Sequence, residues 1–286
     1  MNGEYIVSTD KKEKIKLDSR IVLAEWLSSV ARGGAEAKLR VKTVFVAEGS
    51  SIEIKGRSSE GKAPDTIKGK VFNDEFIGEL LIPEKVKVGA DIWFEAKLPK
   101  HGLKMESGAI PAKPGILVSK ICWDRDTVER GDEVKLSCQF ESGVQDGEEA
   151  NFVIYEHNPN SYDFKVTSFQ TTIENNKAEA TWLFDYHEDT AKIATHEELK
   201  PSGKSYVNPQ YFFMVVVDGV KIGEKRESGL MKFMDSMEIE ITDEFGDPIP
   251  NTRVACILPD GNLKNLTTDN SGMITQTIPP GKIEIG

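Results

Sequence analysis

The chain has 286 residues, more than one small β-sandwich needs, so two or three domains are expected. Hydrophobic residues make up 38%, and no stretch approaches the roughly 18–20 apolar residues of a spanning helix, which argues against a helical membrane protein. With 36 Lys and Arg against 47 Asp and Glu the formal net charge is -11, which disfavours a nucleic-acid backbone as partner.

The first seventeen residues, MNGEYIVSTDKKEKIKL, carry charge where a signal peptide has its apolar segment. Synthesis in the cytoplasm is therefore expected, and assembly into a secreted or extracellular particle would need another route. Asp18 and Ser19 can cap a helix from about Arg20 to Arg32, closed by Gly33 and Gly34. Leu23, Trp26, Leu27 and Val30 recur there at helical spacing and make one apolar stripe. These four are candidate interface residues, although such a stripe more simply covers its own domain.

From Leu39 the pattern becomes β. Val41 to Val46, Ile52 to Ile54, Ile67 to Phe72, Phe76 to Ile82 and Ile92 to Ala96 are short runs rich in branched and aromatic residues, with Asn73-Asp74 as a hairpin turn. Turn residues arrive about every ten positions, as in a small sandwich or barrel. Ser107 to Gly115, with Gly108, Pro111 and Pro114, has linker composition. A first domain, an N-terminal helix plus a small β domain, is expected over residues 1–112.

A second domain is expected over residues 113–234. Val134, Leu136 and Cys138 alternate with Lys135 and Ser137, the signature of a half-buried strand. Val166 to Ile173 and Ala178 to Phe184 are expected to pair across Asn175-Asn176. Tyr211 to Val217 is nearly all apolar and reads as a central strand, turned by Asp218-Gly219. About seven short strands in some 120 residues fit an immunoglobulin-like sandwich. Cys138 stands where a bridge cysteine could lie, but Tyr211 to Val217 has no cysteine to meet it, so the disulfide-bearing antibody type is excluded. Cys122, Cys138 and Cys256 have no metal-ligand spacing and read as free thiols.

Residues 235–286 alternate short strands with Asp243-Glu244-Phe245-Gly246-Asp247-Pro248-Ile249-Pro250-Asn251, Pro259-Asp260-Gly261, Thr268-Asp269-Asn270-Ser271-Gly272 and Pro279-Pro280-Gly281. Each turn has a mechanical reason: Gly for positive φ, Pro to fix an edge turn, Asp and Asn to bond the turn backbone. A unit of about fifty residues is marginal for independent folding and is expected to lean on its neighbour or on a partner.

That order of turns resembles the transthyretin-like, or carboxypeptidase-regulatory-like, β module, which implies a small Greek-key sandwich with a structural or binding role and no catalytic residues. Trp123, Glu129-Arg130-Gly131-Asp132, Glu179-Ala180-Thr181-Trp182, Tyr211-Phe212-Phe213 and Ser228 to Phe233 precede it. The pair resembles modules of spike-associated proteins in type VI secretion and phage-tail-like contractile injection systems. The resemblance covers the chain from about Gly115 onward. It implies protein partners among spike, baseplate or secreted effector components, with a homo-oligomer as a further option. The N-terminal third shows neither a glycine-rich spike tip nor a repeating β-helix pattern.

Chemistry-bearing residues are sparse. His187, Glu188, His196 and Glu197 lie in one acidic stretch, and imidazole with carboxylate suits zinc, but the helical H-E-x-x-H spacing is absent. There is no G-x-S-x-G, and Gly56 to Lys62 lacks the Ser or Thr that a phosphate loop needs after its lysine, Ala63 standing there instead. Trp93, Phe152, Trp182 and Phe213 fall in apolar strand runs and read as core. The expectation is an all-β chain of tandem sandwich modules with a short N-terminal helix, non-enzymatic, with no catalytic residue, metal or cofactor, acting as an adaptor in a contractile injection apparatus. Two alternatives are an adhesin-like carbohydrate- or protein-binding protein and a metal-dependent hydrolase centred on the His187–His196 stretch.

Overall fold

The computed structural model describes residues 14–159 and 161–286, and the chain divides into two compact units. Residues 1–13, which carry most of the segment bearing on a leader, lie outside the described residues. The first unit takes in the chain to Leu117 together with residues 142–144 and 218–220, and the second takes in the remainder.

Nine strands build the first unit: β1 (Arg20–Trp26), β2 (Ala31–Arg32), β3 (Glu36–Val44), β4 (Ser51–Ser58), β5 (Ile67–Lys70), β6 (Glu75–Leu81), β7 (Asp91–Leu98), β8 (Leu103–Glu106) and β9 (Ile110–Lys113). One sheet has the order β1-β3-β6; the other runs β2-β9-β7-β4-β5, with β8 also on β7. Alternation along β3 buries Ala37, Leu39, Val41 and Thr43 and leaves Glu36, Lys38 and Lys42 in solvent, so one face of the strand makes core. Leu39, Val41, Ile52, Ile54, Leu80 and Phe94 form the centre of that core. Buried Arg32 donates to the Asp218 carboxylate at 2.7 and 3.0 Å and to the Gly143 carbonyl, within the same unit.

Two expectations fail here. The helix from Arg20 to Arg32 is not formed: Arg20–Trp26 is a strand paired with β3, with Leu27 to Val30 in bends. Leu23 and Trp26 lie three residues apart on opposite faces of this strand, and Leu27 and Val30 lie in the bends beyond it, so their helical spacing corresponds to no shared face. Trp26 packs edge-on against Phe94 with ring centroids 4.9 Å apart, so it faces core. The linker composition of Ser107 to Gly115 likewise conceals strand β9, in which Ile110 and Ala112 are buried while Pro111 is exposed.

The second unit opens with β10 (Leu117–Trp123), β11 (Thr127–Val128), β12 (Glu133–Ser142), β13 (Glu149–His157), β14 (Phe164–Thr172), β15 (Lys177–Leu183), β16 (Gln210–Val217), β17 (Val220–Ile222) and β18 (Met231–Phe233). Its sheets have the orders β10-β12-β15 and β11-β18-β16-β13-β14, with β17 also on β16. Strand for strand this is the arrangement of the first unit, down to a short second strand that pairs in parallel with the last, β2 with β9 and β11 with β18. Both are immunoglobulin-like sandwiches of one topology. The pairing of Val166 to Ile173 with Ala178 to Phe184 is corrected: β14 pairs with β13 and β15 with β12, in different sheets. The hairpin expected at Asn73-Asp74 is corrected likewise: β5 pairs with β4 and β6 with β3, in different sheets, and only the isolated bridges Phe72–Glu75 and Glu174–Lys177 close this turn and the one at Asn175-Asn176. All four turn residues have φ between 52 and 58°, the left-handed region that Asn and Asp tolerate.

Rings hold this sandwich together. Trp123 meets Phe213 edge-on at 4.7 Å, and Phe213 meets Phe152 at 5.4 Å. Trp182, Phe184, Tyr211 and Phe233 continue the series at 5.1–5.6 Å. Cys138 is buried among these strands, which pushes its thiol up to about 12, and no cysteine is bridged.

The second unit also includes β19 (Asp235–Glu240), β20 (Arg253–Ile257), β21 (Leu263–Thr267), β22 (Met273–Ile278) and β23 (Glu284–Ile285), in a β19-β22 pair and a β21-β20-β23 sheet. Met237, Val254, Cys256, Leu266, Ile274 and Ile278 are its core. Its turns behave as their residues dictate: Asp243 Oδ1 accepts from the Phe245 and Asp247 amides, and Asp269 Oδ1 from those of Ser271 and Met273. No helix among the described residues is long and apolar enough to cross a membrane.

Phe213 is wholly buried between Trp123 and Phe152. Phe213→Ala is expected to cost about 3–5 kcal/mol, read as a lowered midpoint in chemical denaturation of the second sandwich.

Candidate functional site

Between β15 and β16 the chain spends residues 184–209 outside any sheet, long for a strand connection and therefore worth explaining. Local hydrogen bonds order it. Asp189 Oδ1 accepts from the Ala191 amide at 3.0 Å and starts a 3₁₀ turn. Thr195 and Glu198 then form a reciprocal capping box, which starts α1 (His196–Leu199), the only α-helix among the described residues. The helix expected over Arg20 to Arg32 is absent there, and α1 was not expected from the sequence. Gly203, at φ 68°, ends the turn that follows.

One side of this connection is fastened to the C-terminal strands. The His196 amide donates to the Pro259 carbonyl at 2.7 Å, the Tyr206 hydroxyl donates to the Pro280 carbonyl at 2.6 Å, and Glu198 pairs with Lys282. Burial raises the Tyr206 hydroxyl above its ordinary value. Gly261 is needed at the contact: its φ is 85°, and a Cβ there would lie 2.8 Å from His196 Cδ2.

The other side, with the ends of β13 and β14, encloses a cleft of about 780 Å³ lined by Glu156, His157, Phe164, Tyr186, Glu188, Ile193, Leu199, Lys204 and Val207 among others. Tyr186 stacks on Phe233 at 4.6 Å, and the Arg130 guanidinium lies 5.7 Å from its ring centre while pairing with Asp235 at 3.4 Å. Burial and the Glu188 and Glu156 charges push the Tyr186 hydroxyl up to about 12. Glu156 is half-buried, and burial with the nearby Glu188 charge raises its carboxyl above the ordinary value. At the rim His157 Nδ1 and Asp163 Oδ1 are 2.8 Å apart, and Arg226 holds the other Asp163 oxygen at 3.1 Å. Burial alone would raise Asp163, but these hydrogen bonds hold it below its ordinary value.

The four residues weighed as metal ligands are dispersed. His187 is exposed and 3.4 Å from Asp185, Glu188 borders the cleft, His196 sits against Gly261, and Glu197 pairs with Lys200 at 3.4 Å. No group of three or more His, Cys, Asp or Glu among the described residues is placed to hold a metal ion. Of the proposed interface stripe, Leu27 is exposed, Leu23 and Val30 are half-buried, and Trp26 faces the first core. The sequence did not single out Glu156. Its one signal is a carboxylate at the end of an otherwise apolar strand run, Phe152-Val153-Ile154-Tyr155.

No protein-family model matches the chain, and no curated protein matches it. Among solved structures it is similar to the D0–D1 domain of intimin, at 10% identity and a TM-score of 0.26, covering 71% of this chain and 92% of that one. A fragment of the ICAM-5 ectodomain gives 12% identity and a TM-score of 0.32, covering 91% and 76% of the two chains. Alpha-2-macroglobulin of Escherichia coli gives 8% and 0.28, with 94% of this chain spanning only 20% of that much longer one. Likeness at this level leaves the fold assignment resting on the strand order.

Two outcomes follow. Protonation of Glu156 is favoured by folding, so its contribution to stability falls as pH rises through and above the ordinary glutamate value of 4.5. Glu156→Gln is therefore expected to melt higher than the parent at pH 7, by about 2 °C, with the gain vanishing below the ordinary glutamate pKa. Gly261→Ala is expected to destabilise by about 1–2 kcal/mol and to speed proteolytic cleavage within residues 184–209, measured against the parent chain.

Proposed function

We propose that the chain is a non-catalytic adaptor that binds another protein by strand addition to β14. One observation carries this reading. β14, Phe164 to Thr172, pairs with β13 on one side, and no strand among the described residues pairs with its other side. An open edge presents a row of backbone donors and acceptors ready for another strand. Nine residues long, it holds a single charge, Lys165, no proline, and exposed Phe164 and Val166. The topologically equivalent edge of the first unit, β5, is only four residues, Ile67–Lys70, and two of them are lysine. Shortness and lysine are the usual protections of an edge, so one sandwich guards this position and the other leaves it open.

The assembly served, on this reading, is a contractile injection apparatus of the phage-tail-like or type VI kind, with the chain attached to spike or baseplate. Support comes from the order of turn motifs after Met237, which resembles transthyretin-like modules, following an immunoglobulin-like sandwich. Tagged chain is expected to bring spike, baseplate or tube proteins with it from its native cells, identified by mass spectrometry. Val166→Lys together with Ser168→Lys, both at exposed positions on β14, is expected to deplete them at least about fivefold without lowering the melting temperature. Equal recovery with both chains would remove β14 as the interface; an eluate without any such component would remove the apparatus.

A further inference from the structure

The cleft beside α1 carries two carboxylates that no side chain of the described residues pairs. Glu156 and Glu188 both border it, and neither carboxylate makes a hydrogen bond or ion pair among the described residues. Its apolar wall contains Phe164, Tyr186, Ile193, Leu199 and Val207. Two nearby cations are occupied or apart: Arg130 pairs with Asp235, and Lys204, although it borders the cleft, forms no ion pair with either glutamate. Two like carboxylates against aromatic rings form an unfavourable arrangement in isolation and a favourable one around a positive group.

Size and continuity say what kind of cation fits. A volume of about 780 Å³ falls in the range of ligand sites and exceeds what a simple metal ion needs. A guanidinium on an aliphatic stem matches both features, its stem against Ile193, Leu199 and Val207 and its plane against Tyr186 or Phe164. Phe164 is both the first residue of the open strand β14 and part of the cleft wall. We infer that the cleft receives an arginine side chain from the same partner segment that adds to β14. This inference rests on the adaptor reading for the source of the arginine, and on the cleft alone for its chemistry.

The test separates the two. N-acetyl-arginine methylamide is too small to pair with β14, and its citrulline counterpart has nearly the same shape without the charge. Each is titrated into the ¹⁵N-labelled full chain. The arginine probe is expected to shift the amides of Glu156, Tyr186 and Glu188, with the citrulline probe at least about tenfold weaker. Glu188→Gln and Glu156→Gln are each expected to weaken the arginine probe by about fivefold or more. The Val166→Lys/Ser168→Lys chain is expected to keep the full arginine response. Equal response to both probes, shifts confined to other residues, or indifference to both Gln substitutions would overturn the cleft's role. An intact arginine response in a chain that recovers no partner would count against the adaptor reading alone.

Discussion

Edge-to-face and tilted ring contacts hold the second sandwich together, and much else is placed by them. Trp123 and Trp182 come from the three-stranded sheet, Phe152, Tyr211 and Phe213 from the facing one, and their centroids lie 4.7–6.2 Å apart. Contacts of this kind add to the area they bury, because the positive edge of one ring meets the negative face of another. The series does not stop at the sheets. It passes through Phe184 and Phe233 to Tyr186, which belongs to the long connection and forms part of the cleft wall. A packed core thereby fixes the start of a segment whose middle and end are held by its own turns and by bonds to Pro259, Pro280 and Lys282.

Two sandwiches of one topology give the chain an internal comparison. Each reaches its sheet-changing turn through a buried branched residue, Val71 or Ile173, whose backbone bonds to a preceding glycine turn at Gly49 or Gly147. The frames agree where packing demands it and differ at the edge, where packing does not. Conserving the frame while altering an edge is how one fold acquires separate roles, since function resides in sites carried on the fold.

Much of the fold was legible in the residues. Alternation of Val134, Leu136 and Cys138, the Asn-Asn and Asn-Asp turns, and the turn chemistry after Met237 all formed as their local physics required. Four segments misled, each because a long-range partner overrode a local pattern. Leu23 and Trp26 on opposite faces of β1 aligned by chance with Leu27 and Val30 in the bends after it; Pro111 and Pro114 hid an alternating strand; and Asn73-Asp74 and Asn175-Asn176 each joined two strands that belong to different sheets. The repeat itself was missed because strand order, not residue identity, carries it. For the site, His187 and His196 drew attention by chemistry, while Glu156 acquires its character only from what surrounds it: burial, Glu188 and the folded-over connection. Neither is a property of neighbours in the chain.

The open edge of β14 has a consequence for how copies of this chain behave toward each other. A strand that accepts a partner's backbone can accept its own twin, and the sequence FKVTSFQTT offers almost no charge to prevent it. What opposes the encounter is the whole-molecule charge of -11, which acts at a distance and weakens once salt shortens the Debye length to about 8 Å at physiological ionic strength. Restraint that at β5 comes from a short strand and lysines is here left to long-range repulsion, so ionic strength becomes the variable that governs whether copies of the chain stay apart.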